Sequence, residues 1–136
     1  MYPEAIVNPM KVELTDSGFN QLLNSEDVDK AIKSEGTVLL VVNSVCGCAA
    51  GAARPGVKKS LENIKKPSNL TTVFAGFDVD AVNQARKYFT PYPPSSPAIA
   101  LFKNGELVHF LERHNIEGRN ATAISDHLKA VYDEFC

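Results

Sequence analysis

Between Thr37 and Asn43 the chain carries Val38-Leu39-Leu40-Val41-Val42, an apolar run with no alternation of polar and apolar positions. Such a run predicts a strand covered on both faces, as in a parallel sheet flanked by helices. Leu70 to Phe77, ending at Asp78, predicts a second buried strand. Around these runs the apolar period changes to that of helices. Val28, Ala31 and Ile32 follow a cap at Ser25, and Val57, Leu61 and Ile64 mark a helix over about residues 47–65. Val82, Ala85 and Phe89 follow a cap at Asp80. Ile124, Leu128, Val131, Tyr132 and Phe135 form the inner face of a last helix introduced by Gly118-Arg119-Asn120. Ala98–Phe102 and Glu106–Leu111 are strand-like and flank Lys103-Asn104-Gly105, and Asn-Gly between two apolar runs predicts an antiparallel hairpin.

Other stretches carry weaker patterns. Residues 1–10 hold two prolines and read as a surface arm. Val12 and Leu14 alternate with charged residues as in a short edge strand, and Thr15 or Asp16 is placed to cap a helix carrying Phe19, Leu22 and Leu23. Pro55 has no N–H for the Gly51 carbonyl, so a kink is expected in the helix after residue 47. Four prolines between Thr90 and Pro97 rule out helix or central strand there. The order is helix, strand, helix, strand, helix, hairpin, helix: an α/β fold with a mixed central sheet and flanking helices, in one domain over residues 1–136. Phe74, Phe77, Phe102, Phe110 and Phe135 read as core.

Composition narrows the class of function. The 136 residues, 44% hydrophobic and 22% charged, suit a single globular core. A net charge of -2 with no dense basic tract gives no reason to expect a nucleic-acid or membrane partner. The start, Met1-Tyr2-Pro3-Glu4, does not have the pattern of a secretory leader, and no apolar run approaches a membrane span. Three cysteines are too few for a secreted disulfide framework. A cytoplasmic location is expected, where a close cysteine pair is more often catalytic or metal-binding than structural.

That pair is Cys46-Gly47-Cys48, at the carboxyl end of the buried strand and followed by the small residues Ala49, Ala50, Ala52 and Ala53. In open α/β sheets reactive sites collect at this end of the strands. A thiol attacks only as thiolate, and an unperturbed cysteine is only about 3% ionised at pH 7. The free N–H groups of a helix N-terminus favour the anion, and Cys46, first in the motif, is better placed for them than Cys48. Closing a disulfide across one residue demands unusual backbone angles, which Gly47 tolerates, and a ring so tight is easily reduced. Structural zinc would need two further ligands, and Cys136, His109, His114 and His127 stand at no recognisable spacing, so no metal is expected. An adaptor or metal carrier using the C-G-C pair as ligands is the alternative from another class.

The element order, with paired cysteines opening the helix after a central strand, resembles the thioredoxin fold over roughly residues 11–135. The segment Ser96-Pro97-Ala98-Ile99-Ala100-Leu101-Phe102-Lys103-Asn104-Gly105-Glu106 is similar to the thioredoxin stretch in which a cis-proline precedes a strand and an FKNG turn. The resemblance implies that Pro97 faces the cysteines and that Ser96 offers backbone groups to an incoming partner. Thioredoxins carry C-x-x-C, whereas this chain has C-x-C. Asn43-Ser44-Val45-Cys46-Gly47-Cys48-Ala49-Ala50-Gly51, together with His114-Asn115-Ile116-Glu117-Gly118-Arg119, resembles the bacilliredoxin family over the whole chain. That resemblance implies an oxidoreductase that removes bacillithiol from mixed disulfides on client proteins. Cys46 would attack, Cys48 would resolve, and bacillithiol would be co-substrate, with no cofactor. A weak protein disulfide isomerase shares the same residues.

Four residues are candidates for substrate binding. His114 and Arg119 suit an anionic cap, since bacillithiol carries carboxylates. Arg54 is near the thiols in sequence, and Tyr92 stands in the proline loop before Pro97. His109 and His127 are expected to face solvent, and Cys136 to be a reactive tail thiol or a third redox thiol.

Overall fold

A computed structural model describes residues 1–136. Its centre is a five-stranded mixed sheet of β1 (Asn20–Gln21), β2 (Thr37–Asn43), β3 (Asn69–Phe74), β4 (Ala98–Lys103) and β5 (Glu106–Leu111). The strand order is β1-β3-β2-β4-β5, with β1, β3 and β2 parallel and β4 and β5 antiparallel to their neighbours. Every residue of β2 is buried, as its unbroken apolar run predicts. β2 is fixed by side chains as well as by ladder bonds. Thr71 Oγ1 donates to the Leu39 carbonyl and Thr72 Oγ1 to that of Val41, both at 2.8 Å. The β4–β5 turn has positive φ at Asn104 and Gly105, 51° and 84°, as a two-residue hairpin requires. Asn104 is clamped to Gly36 by two 2.9 Å hydrogen bonds.

Helices cover both faces. Leu39, Val41, Ile99 and Leu101 point to a core shared with α1 (Glu4–Thr15), α3 (Arg54–Ser60) and α6 (Ala121–Phe135). Val38, Leu40, Val42, Ala98, Ala100 and Phe102 point to a second core under α2 (Ser25–Ile32) and α4 (Val79–Lys87). α3 and α6 approach closely at Gly56, where a Cβ would stand 2.7 Å from the Ile124 Cβ. Gly56→Ala is therefore expected to destabilise the protein despite the better helix propensity of alanine. Overpacking costs about 1–3 kcal/mol against a propensity gain of about 1. A thermal melt should show Tm lowered by several degrees, and an unchanged Tm would mean that the helices part without cost.

Three expectations are corrected. Residues 4–10, read as part of an arm, form the first turns of α1, and Val12 and Leu14 belong to the same helix rather than to an edge strand. Val7, Lys11 and Leu14 stand at helical spacing, and these three are the buried positions. Pro9 lies inside the helix without ending it. The helix expected after Thr15 is replaced by a turn and β1, with Phe19 and Leu22 buried and Leu23 exposed. The helix after the cysteines ends at Ser60 rather than near 65, leaving Ile64 almost fully exposed.

Candidate active site

The site is built where β2 ends. Asn43 is buried, and its side chain reaches three ways: Nδ2 donates to the Met10 carbonyl of α1 (3.1 Å), while Oδ1 accepts from the Ser44 N–H (2.9 Å) and from Arg54 Nη1 (3.0 Å). Arg54 Nη1 also donates to the Ser44 carbonyl (2.8 Å), and its Nε lies 3.1 Å from Glu13 Oε2. Ser44 Oγ in turn accepts from the Cys46 N–H (3.0 Å). The turn carrying the thiols thus hangs from a buried guanidinium. Helical conformation starts at residue 47, so Cys46 stands at its N-terminal boundary, and its carbonyl accepts from the N–H groups of Ala49 (3.0 Å) and Ala50 (3.2 Å).

The expected kink at Pro55 takes a particular form. Ala49–Ala53 is a π-helical turn, and the Arg54 N–H donates to the Ala49 carbonyl, five residues back. Pro55 has no N–H for Gly51, and widening the turn by one residue passes that defect without breaking the helix. The small side chains of Ala49, Ala52 and Ala53 are buried against the core under the cysteines.

Cys46 and Cys48 are free thiols, both partly exposed, with sulfur atoms 2.8 Å apart. Their acidities split. A hydrogen bond from Cys48 lowers the Cys46 pKa below the usual cysteine value, against partial burial, with help from the backbone N–H groups of Cys48 and Ala49 and from Arg113. Burial, and then the neighbouring Cys46, push the Cys48 thiol up. The pair is therefore arranged as one thiolate accepting from one thiol, with the anion on the outer sulfur.

Cys46 opens into a cleft of about 480 Å³ shared with Tyr2, Ser44, Arg86, Ser96 and Arg113. The Ser96–Pro97 peptide bond is cis, as is Thr90–Pro91. The Ser96 carbonyl accepts from Arg113 Nη1 at 3.4 Å. Tyr2 is carried to the cleft by α1. Its N–H donates to the Gly76 carbonyl (3.2 Å), and its ring lies over Gly76, where any Cβ would come within 2.5 Å of it. Arg86 of α4 and Arg113, which opens the short α5 (Arg113–Ile116), were not singled out by the sequence. Arg in a last helical turn or beside a strand end looks like any solvated charge, and only the fold turns both toward Cys46.

The other candidates lie elsewhere. Arg54 is neither at the cleft nor solvated, being 2% exposed beneath the Asn43–Ser44 turn. Tyr92 packs its ring on Phe110, centroids 4.8 Å apart, and does not line the cleft. His114 is exposed, 3.7 Å from Glu112. Arg119 is tied to the carbonyls of Asn115 and Ala123 and approaches His127 Nδ1 at 3.5 Å, so it anchors the start of α6. Cys136 neighbours Thr37 and Lys103, at the opposite end of β2 from Cys46, which separates it from the pair by the length of the strand. No group of three or more His, Cys, Asp or Glu side chains converges on a common point, so the cysteine pair has no third ligand beside it.

His109 and His127, expected to face solvent, instead face one another across β5 and α6 with their Nε2 atoms 2.9 Å apart. Burial lowers the pKa of both. Glu134 opposes this at His109, while His109 and Arg119 reinforce it at His127. An unfolded chain therefore takes up protons that the folded pair resists, and stability is full above the ordinary imidazole pKa of about 6.5 and declines as pH falls below it. Chemical denaturation of wild type and His127→Gln between pH 8 and 5 should show a smaller acid loss in the variant, and equal losses would place the effect elsewhere.

Comparison with known proteins places this geometry in a family. Residues 2–136 match a family model described as disulphide isomerase. The chain is 63% identical over 134 residues to a bacilliredoxin of Cytophaga hutchinsonii, covering 98% of this chain and 99% of that one. It is 50% identical over 136 residues to a bacilliredoxin of Halalkalibacterium halodurans, covering 99% and 94%. Its fold is that of Schistosoma mansoni thioredoxin, with a TM-score of 0.61 at 19% identity over 88% of this chain and 97% of that structure.

Proposed function

Because the chain belongs to the bacilliredoxin family and is thereby a thiol–disulfide oxidoreductase, we propose that it strips bacillithiol from mixed disulfides on client proteins, Cys46 attacking and Cys48 resolving. The observation that supports these roles is the split acidity of two sulfurs 2.8 Å apart. The Cys46 thiolate attacks the cap sulfur of the client–S–S–cap bond. A Cys46–S–S–cap bond forms, and the client leaves as thiolate and takes a proton from water. With its sulfur in a disulfide, Cys46 no longer bears the anion that raises Cys48, so Cys48 ionises more readily at the moment it is needed. It then attacks Cys46 Sγ, closes the Cys46–Cys48 disulfide and expels the cap as a thiol. Two electrons have passed from the dithiol to the client–cap disulfide, leaving one thiol on the client and one on the cap. Two small thiols or one dithiol reductant then reduce the Cys46–Cys48 disulfide and restore the enzyme.

The role assigned to Ser96 is to present backbone beside Cys46, with cis Pro97 turning it there, and Gly47 allows the closed ring. No helix of the protein is long and apolar enough to cross a membrane, and the proposed setting is the cytoplasm, where capped clients would be met. Mass spectrometry after mixing with a bacillithiol-capped client and a matched glutathione-capped client tests the substrate. Faster release of bacillithiol supports the reading. Equal release keeps the exchange chemistry and removes the assignment to bacillithiol. The family model's description favours a second reading, isomerisation of client disulfides, which would show as recovery of a scrambled protein with no cap present.

A further inference from the structure

Arg86 is a partly buried cation without a partner. Its Nε is sealed from solvent and donates to no protein acceptor, and none of the four ion pairs of the chain includes Arg86. A guanidinium on the wall of an open cleft whose charge no carboxylate of the chain neutralises is available to an anion that enters the cleft. The second arginine on the cleft is partly engaged: Arg113 Nε pairs with Glu117 and its Nη1 reaches the Ser96 carbonyl, while no protein hydrogen bond takes its Nη2. The cleft itself is lined by no acidic side chain. Its volume, about 480 Å³, is in the range of small-molecule sites, well below what a folded client would fill. Cys46 is one of the residues that line it, so a group joined to Cys46 by a disulfide stands beside it.

We propose that Arg86 and Arg113 form a seat for the cap, selecting small thiols that bear two negative charges over neutral ones. This rests on the cap-removal reading above and adds to it the two residues that read the cap. Two guanidinium groups carried by separate elements suit two carboxylates, since Arg engages carboxylate through paired N–H donors. The seat acts on the cap sulfur's approach to Cys46 and again in the Cys46–S–S–cap adduct, where the tethered carboxylates remain beside both arginines. The client's own chain is left outside the cleft, so selection falls on the cap and leaves clients free to vary.

The test uses one neutral peptide with a single cysteine, capped in turn with mercaptosuccinate (two charges), 3-mercaptopropionate (one), 2-mercaptoethanol (none) and cysteamine (cationic). Each rate is divided by that of dithiothreitol on the same peptide, which removes the intrinsic reactivity of the disulfide. The expected kcat/KM of the wild type rises with negative charge, by about tenfold or more from the neutral to the dianionic cap. In Arg86→Gln and in Arg113→Gln that ratio falls toward one, and added salt shrinks it in the wild type. Arg86→Lys, which keeps the charge and loses the fork, should retain part of it and guards against a glutamine variant that misfolds. Normalised rates independent of cap charge in the wild type would overturn the seat and leave the redox reading standing. Removal of no cap at all would overturn both.

Discussion

Replacing Cys46 by serine is expected to reduce cap removal by at least about a thousandfold, the scale of losing a covalent nucleophile. Cys48→Ala should behave differently. It keeps the attacking sulfur and stops at the mixed disulfide, so its mass rises by that of one cap on Cys46. It also loses the hydrogen bond that does most to stabilise the Cys46 thiolate. The midpoint of Cys46 alkylation should therefore lie below the usual cysteine value in the wild type and move up in Cys48→Ala. The direction follows from the sign of the shift: a depressed pKa adds thiolate at neutral pH, and withdrawing its cause removes that thiolate. First-step rates of Cys48→Ala then fall at pH 7 and approach the wild type above pH 9. A midpoint unmoved by the substitution would show that Cys46 is activated by the helix N-terminus and Arg113 alone.

The largest loss of stability is expected from Arg54→Met. Methionine fills much of the volume but leaves the Ser44 carbonyl without its donor and Asn43 Oδ1 with one donor fewer. At about 1–3 kcal/mol for each buried group left unsatisfied, the cost is roughly 2–4 kcal/mol, and Tm should drop by about 10 °C or more. Glu13→Gln supplies the contrast. The Glu13 side chain is 42% exposed, so its ion pair is screened and its loss should cost within about 1 kcal/mol. Arg54→Lys is not expected to rescue, because one ammonium cannot meet Asn43, Ser44 and Glu13 in the same planar fork. Equal melting of Arg54→Met and wild type would mean that the turn carrying Cys46 is held by Ser44 and the helix alone. If the turn does depend on Arg54, alkylation of Cys46 in Arg54→Met should slow even under conditions where the variant remains folded.

The hydrophobic pattern predicts the sheet and its cover well because its signals are local and unopposed. An apolar run without alternation has one solution at β2, and Asn104-Gly105 has one at the hairpin. Where the pattern failed, prolines and short elements were responsible. Pro3 and Pro9 made α1 read as an arm, although Val7, Lys11 and Leu14 carry the helical spacing, and Lys11 is buried because it pairs with Asp78 at 2.7 Å and lies over Phe77. β1 is two residues long and owes its existence to pairing with β3, which no local signal encodes. At the candidate site, proximity in sequence carried Cys46, Gly47 and Cys48 to one turn, and the proline before β4 brought Ser96 to the same cleft. Charged residues were not legible in this way. Arg54 is a core residue on a helix whose sequence gives no sign of the carbonyls waiting for it. Arg86, Arg113 and Tyr2 reach the cleft from three elements far apart in the chain, and only the tertiary structure joins them.

The burial of β2 between partners that come later in the chain also sets a timetable. Its neighbours are β3, beginning at Asn69, and β4, ending at Lys103. During synthesis at about 5–20 residues per second, the cysteines precede the end of β4 by roughly 3–11 s. Until then no folded sheet presents the turn, and the two thiols have ordinary acidity and are almost wholly protonated at neutral pH. The Cys46 sulfur therefore gains its lowered pKa, and with it its reactivity toward disulfides and oxidants, only after β4 and the later Arg113 have been made and the turn has folded.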